Sequence, residues 1–125
     1  MISLDKQDVL LLHDLLVENT GGGDGVREDG LLSSAVYSPY QTFGDIELYP
    51  TLLEKGARLG YALVSNHAFI DGNKRIGLLA MLTFFELNGV TLTFTNDELI
   101  LLGLSLAQGK TDYNGLLLWL KSHQK

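Results

Sequence analysis

Five polar residue types stand together between positions 67 and 75, in His67-Ala68-Phe69-Ile70-Asp71-Gly72-Asn73-Lys74-Arg75. Each brings a different piece of chemistry. His67 carries an imidazole, the side chain able to take up a proton near neutral pH. Asp71 is a hard oxygen ligand of the kind that holds Mg²⁺, with phosphate oxygens and water filling the remaining places. Gly72 lets a ligand approach the backbone closely. Lys74 offers a mobile point charge and Arg75 a planar fork, and both suit phosphate. A helix opening near Asn73 would add its unpaired first amides and its dipole. Proton acceptor, metal ligand and phosphate cradle are the parts of a phosphoryl- or nucleotidyl-transfer site. The competing reading is a glycine turn with solvated polar side chains. A Walker loop is excluded, because Leu78 and Leu79 follow Gly77 where Lys and Ser or Thr would be needed.

Charge sets this stretch apart. The 125 residues carry a net −6, which argues against non-specific binding to nucleic acid or to an anionic membrane. Residues 1–54 sum to −8, residues 55–85 to +3 and residues 86–125 to −1. The cationic segment is therefore the one that holds the motif, and a local cationic spot suits a small anion. No apolar run approaches the roughly 18 residues that span a bilayer. The opening residues MISLDKQD lack the pattern of a signal peptide. With no cysteine to form disulfides or thiolate metal sites, a cytoplasmic protein is expected.

The elements that must position these residues are helices. Residues 4–18 place Val9, Leu12, His13, Leu16 and Val17 at helical spacing, and GGGDG at 21–25 stops that helix by Thr20. A short helix is predicted over 29–37, ended by Pro39. Residues 39–50 hold two prolines, a glycine and several β-formers, and read as an irregular loop or small hairpin. Helices follow over 51–66, with Leu53, Ala57, Gly60 and Val64 on one stripe, and over 73–88, with Ile76, Leu79, Ala80, Thr83, Phe84 and Leu87 inward. Asn88-Gly89 stops the second of these. TLTF at 91–94 is extended. Thr95 and Glu98 form a capping box for a helix over 96–108, and Thr111 caps a last helix ending near Ser122. One domain over 1–125 is expected: all-α, with about six helices and a small flap or hairpin.

The motif HAFIDGNKR resembles the signature of the Fic/Doc family, His-x-Phe-x-Asp/Glu-Gly-Asn-Gly/Lys-Arg, at every defined position. LLHDLL (11–16), DGVREDGLLSSA (24–35), YPTLLEK (49–55) and FFELNG (84–89) resemble landmarks of its Doc branch in the same order. The resemblance implies a compact Fic-type bundle and a toxin of a toxin–antitoxin pair. His67 would take the proton from a target hydroxyl, and Asp71 would hold Mg²⁺. Gly72, Asn73, Lys74 and Arg75 would grip the phosphates of ATP, Phe69 would anchor the loop, and residues 39–48 would line up the target by main-chain pairing. Lys74 stands where the adenylylating branch usually has glycine, and Leu78 where it usually has a further arginine. Both departures point away from AMP transfer and toward transfer of the γ-phosphate, with elongation factor Tu as the implied target. A nucleotidyltransferase is the alternative, and a catalytically silent binding module a third reading. The family's inhibitory spacing, Ser/Thr-x-x-x-Glu-Gly/Asn, is absent, so the resemblance implies an external antitoxin whose disordered tail folds as a helix in a groove by the site.

Other residues have plainer expectations. Phe69 and Ile70 should anchor the motif loop in the core. His13 should be a core or pocket-wall histidine bonded to backbone, and His123 should be solvated. GGGDG should be a flexible connector, Arg58 should pair with Glu54 at i, i+4, and Leu116, Leu117, Trp119 and Leu120 should pack the last helix.

Overall fold

The computed structural model describes residues 1–125. Six helices form, as the sequence leads one to expect: α1 (Lys6–Thr20), α2 (Asp29–Tyr37), α3 (Leu52–Asn66), α4 (Asn73–Leu87), α5 (Asn96–Ala107) and α6 (Tyr113–His123). A single 3₁₀ turn, Ser38–Tyr40, follows α2. Strands β1 (Thr42–Phe43) and β2 (Ile46–Glu47) then pair antiparallel, Thr42 opposite Glu47 and Phe43 opposite Ile46.

Local chemistry starts most of these helices. Asp5 and Asp8 cap α1 reciprocally, as Thr51 and Glu54 do for α3 and Thr95 and Glu98 for α5. Such boxes satisfy two otherwise orphaned amides at once. For α6 the cap is Asp112, whose carboxylate accepts from Gly115 N–H at 2.8 Å. The expected Thr111 cap is displaced by one residue, because the Thr111 hydroxyl bonds to Ser105 instead.

Helix α3 is the hub. It packs most extensively on α4 and also meets α2, α5, α6 and the 3₁₀ turn. The α3–α4 contact depends on missing side chains. A Cβ at Gly56 would lie 2.2 Å from the Phe85 ring, and one at Gly77 would lie 2.5 Å from Val64 Cγ2 and 2.9 Å from Gly60 O. The buried face of α4 is Ile76, Gly77, Ala80, Met81, Phe84 and Phe85. That face is turned from the predicted stripe: Leu87 is exposed and Leu79 only half-buried. Glycine at 77 and phenylalanine at 85 set the rotation, since α3 approaches closest there.

The hairpin stands out from this body, with Phe43 80% and Ile46 70% exposed. Its base is tied down by Lys55, a buried residue of α3. The Lys55 ammonium donates to Glu47 Oε1 at 2.9 Å and to the Tyr49 carbonyl. Arg58, one turn on, does not pair with Glu54. Its guanidinium lies over the rings of Tyr49 and Tyr61, 5.7 and 6.0 Å from their centroids. The aromatic faces offer it a site that a solvated i, i+4 pair cannot match.

Candidate active site

The loop between α3 and α4 is held from four directions. Phe69 is buried, and its ring stacks on that of His13 at 3.8 Å between centroids. His13 in turn bonds through Nε2 to the Asp71 carbonyl at 2.8 Å and is buried, so of the two expected places it takes the backbone-bonded core one. Asn73 reaches back to Phe69, accepting from its N–H and donating to its carbonyl, both at 3.0 Å. The segment before α2 pairs with the loop along its length: Arg27 and Glu28 N–H donate to the Ala68 carbonyl, and Ile70 N–H donates to the Gly25 carbonyl. Ile70 departs from expectation. The residue is 61% exposed, while Ala68 and Phe69 beside it are buried.

The glycine-rich connector is also part of this arrangement. Gly23 N–H donates to Asp71 Oδ2 at 3.2 Å and Gly72 N–H to Asp71 Oδ1 at 2.8 Å. These two amides, first Gly23 and then Gly72, with help from the Arg75 guanidinium, hold the Asp71 carboxyl below the usual carboxylate range. The close approach needs Gly22. Its φ is +101°, and a Cβ there would lie 2.7 Å from Asp71 Oδ2. GGGDG, expected to be a flexible connector, therefore also bonds to the exposed aspartate through Gly23. The sequence signal was the cluster of glycines, but their partner lies 48 positions away.

Helix α4 opens on Gly72, at φ +77°, without any side-chain cap. The amides of Asn73, Lys74 and Arg75 find no backbone acceptor, and the first closing bond is Ile76 N–H to Gly72 O. These free amides meet the side chains of the motif. A cleft of about 410 Å³ is lined by His67, Asp71, Gly72, Asn73, Lys74 and Arg75, with Val64, Ile70 and Ala107 as its apolar wall. All six expected site residues therefore border one cavity, of a size in the ordinary range for small-molecule sites.

Their side chains are not equally free. His67 is exposed, and its imidazole has no hydrogen bond within the protein. The Asn73 amide is spent on Phe69, so only its backbone N–H remains for a ligand. Arg75 donates to the Thr20 hydroxyl at 2.6 Å. Lys74 runs along α5: a Cβ at Gly103 would lie 3.4 Å from Lys74 Cγ and Cδ, and 2.9 Å from Leu78 Cδ1. Leu78 is thus packed against α5. Sequence reasoning missed Arg27, whose Nε donates to the His67 carbonyl at 2.8 Å and whose Nη2 donates to the Asn66 carbonyl at 3.4 Å. No local spacing could have pointed to a partner forty positions away.

His123, expected to be solvated, is instead engaged. Its Nε2 meets Glu98 Oε2 at 2.6 Å, its Nδ1 meets the Trp119 carbonyl at 2.7 Å, and its ring stacks on Trp119.

A helical bundle with a histidine-bearing loop feeding an uncapped helix N-terminus defines the class. Residues 3–85 match the Fic/DOC family, and the chain belongs to it. It is also similar to Toxin Doc of Mycolicibacterium smegmatis (strain ATCC 700084 / mc(2)155), with 43% identity over 89 residues that cover 71% of this chain and 66% of that protein. The match thus spans just under two thirds of the relative's length. No helix of the chain is long and apolar enough to cross a membrane.

Proposed function

We propose that the protein is a toxin that transfers the γ-phosphate of ATP to a Ser or Thr hydroxyl of a translation factor. One observation carries this reading: an unengaged imidazole, an ionised carboxylate and an uncapped helix N-terminus with two cations border the same cleft. The α4 amides and the charges of Lys74 and Arg75 would seat the phosphates. His67 would accept the hydroxyl proton as the oxygen attacks phosphorus, the P–O bond to the β-phosphate breaks and ADP departs.

Mg²⁺ fits the residues present. Asp71 is held in its anionic form, and each of its oxygens accepts one amide, leaving lone pairs for a hard cation. When bound, the ion would neutralise charge on the phosphates. In support of phosphoryl over AMP transfer, Leu78 lies against Gly103 of α5 and brings no charge to the mouth, while Lys74 lines the cleft where the adenylylating branch usually has glycine. Relatedness to a protein named Toxin Doc supports a toxic role and a cognate antitoxin. The exposed Ile100, Leu101 and Leu104 on α5, the helix whose Ala107 borders the cleft, would suit the apolar face of an antitoxin helix. The exposed hairpin would present the target segment.

The test is incubation with elongation factor Tu and ATP labelled at either the α or the γ position. We expect γ-label and the mass of one phosphoryl group on the factor. Label from the α position alone would replace this reading with nucleotidyl transfer. Absence of Mg-ATP binding by calorimetry, with a partner still bound tightly, would leave a silent binding module.

A further inference from the structure

His67 is a histidine in a glycine's conformation. It is the one non-glycine residue at positive φ in the chain, with φ 51° and ψ 46°. The Cβ of an L-residue crowds the following carbonyl oxygen there, and such residues persist where their surroundings over-determine them. With no hydrogen bond on the ring, the direction of the imidazole depends on the backbone that carries it. The last turn of α3 is not closed by a backbone amide. Four donors from two consecutive residues take over: Arg27 Nε, Nη2 and N–H, and Glu28 N–H. They fall on the three consecutive carbonyls of Asn66, His67 and Ala68.

The carbonyls of Asn66 and His67 lie in the two rigid peptide planes that flank His67. The φ and ψ of residue 67 are the rotations that relate these planes. A single guanidinium bonded to both therefore constrains both angles. Its fixed fork suits two acceptors at once, and its charge complements the carbonyl end of α3. We propose that Arg27 is a positioning residue, which keeps the imidazole aimed into the cleft by holding both peptide planes beside His67. The proposal rests on the reading of His67 as proton acceptor.

Two measurements test it, only one of which depends on that reading. Thermal melts of the wild type, Arg27→Ala, His67→Gly and the double variant form a cycle. Glycine relieves the crowding at residue 67, so His67→Gly should raise Tm in the wild type and raise it less once Arg27 is gone. Equal shifts in both backgrounds would overturn the clamp. In labelled transfer, Arg27→Ala should lower kcat by about 10²-fold, as misplacement of a reacting group does, with the nucleotide KM within about twofold. Arg27→Lys keeps the charge but loses the fork. It should melt near the wild type and still show the lowered kcat. Wild-type kcat in the lysine variant, or a loss confined to KM, would refute the positioning role. If the wild type transfers no label, the proposed activity fails, and the melting cycle alone decides on the clamp.

Discussion

Two residues of the motif differ in how much of the fold rests on their side chains. His67 is exposed and makes no hydrogen bond through its ring, so its loss should leave the fold alone. His67→Ala is expected to keep the helical circular dichroism spectrum while transfer falls by about 10²–10⁴ and toxicity disappears. A toxic His67→Ala at equal expression would remove the base assignment. Asn73 is the opposite case. Its amide pairs with both polar backbone groups of Phe69, and alanine there strands an N–H and a carbonyl in a half-buried place. Asn73→Ala should destabilise by about 1–3 kcal/mol, read from the midpoint of urea unfolding. An unchanged midpoint would mean that the loop is held by its other contacts alone.

Between helices, the deciding feature is where α3 lets α4 come close. Gly77→Ala drives a methyl into Val64 and the Gly60 carbonyl, and overpacking of this kind costs about 1–3 kcal/mol. Gly30, inside α2, has nothing within 4 Å of an added Cβ and no positive φ. Gly30→Ala should therefore stabilise by about 0.5–1 kcal/mol, since alanine loses less backbone freedom on folding. Thermal melts of the two variants should move in opposite directions, and a stabilising Gly77→Ala would contradict the packing described. The hairpin depends on one anchor. Lys55→Met removes the bonds from α3 to Glu47 of the returning strand and to the Tyr49 carbonyl just beyond it, so amide exchange over 41–48 should accelerate while the core amides keep their protection. Unaltered exchange in the hairpin would show that its own pairing suffices.

At the scale of the molecule, the chain's end is clasped to α5. The Glu98 carboxylate beside His123, and then the Trp119 carbonyl, raise the imidazole's pKa above its ordinary value. The Thr95 amide first, and His123 next, hold Glu98 below its own. Near the same ring, Thr93 N–H donates to the His123 carbonyl and Lys125 N–H to the Thr91 carbonyl, so the clasp ties the 91–94 segment to α6. A raised histidine stabilises fully below its unfolded pKa and loses that contribution as pH rises through the folded one. A lowered glutamate contributes above its unfolded pKa and loses the contribution as pH falls through the folded one. The pair is therefore strongest between those two limits. The difference in Tm between the wild type and His123→Gln should shrink as the buffer is raised from about pH 6 to about pH 9. A difference constant over that range would mean that the pair adds no pH-dependent stability.

Taken alone, the sequence determined what short-range physics controls. The Thr95–Glu98 capping pair, the helical spacing of apolar side chains and the Asn-Gly and GGGDG breaks marked six helices nearly at their observed limits, and left residues 39–50 as an irregular loop or small hairpin. The motif was legible for the same reason: its chemistry is packed into nine consecutive residues, and the uncapped helix start belongs to that stretch. The glycine loop over Asp71, the outward Ile70, Arg58 on two tyrosines and the His123–Glu98 pair were settled only when distant segments met. Arg27 at the carbonyl of His67 belongs with them. These contacts join residues through space that no periodicity relates, and which of several available partners a polar group takes is set by how closely the helices pack.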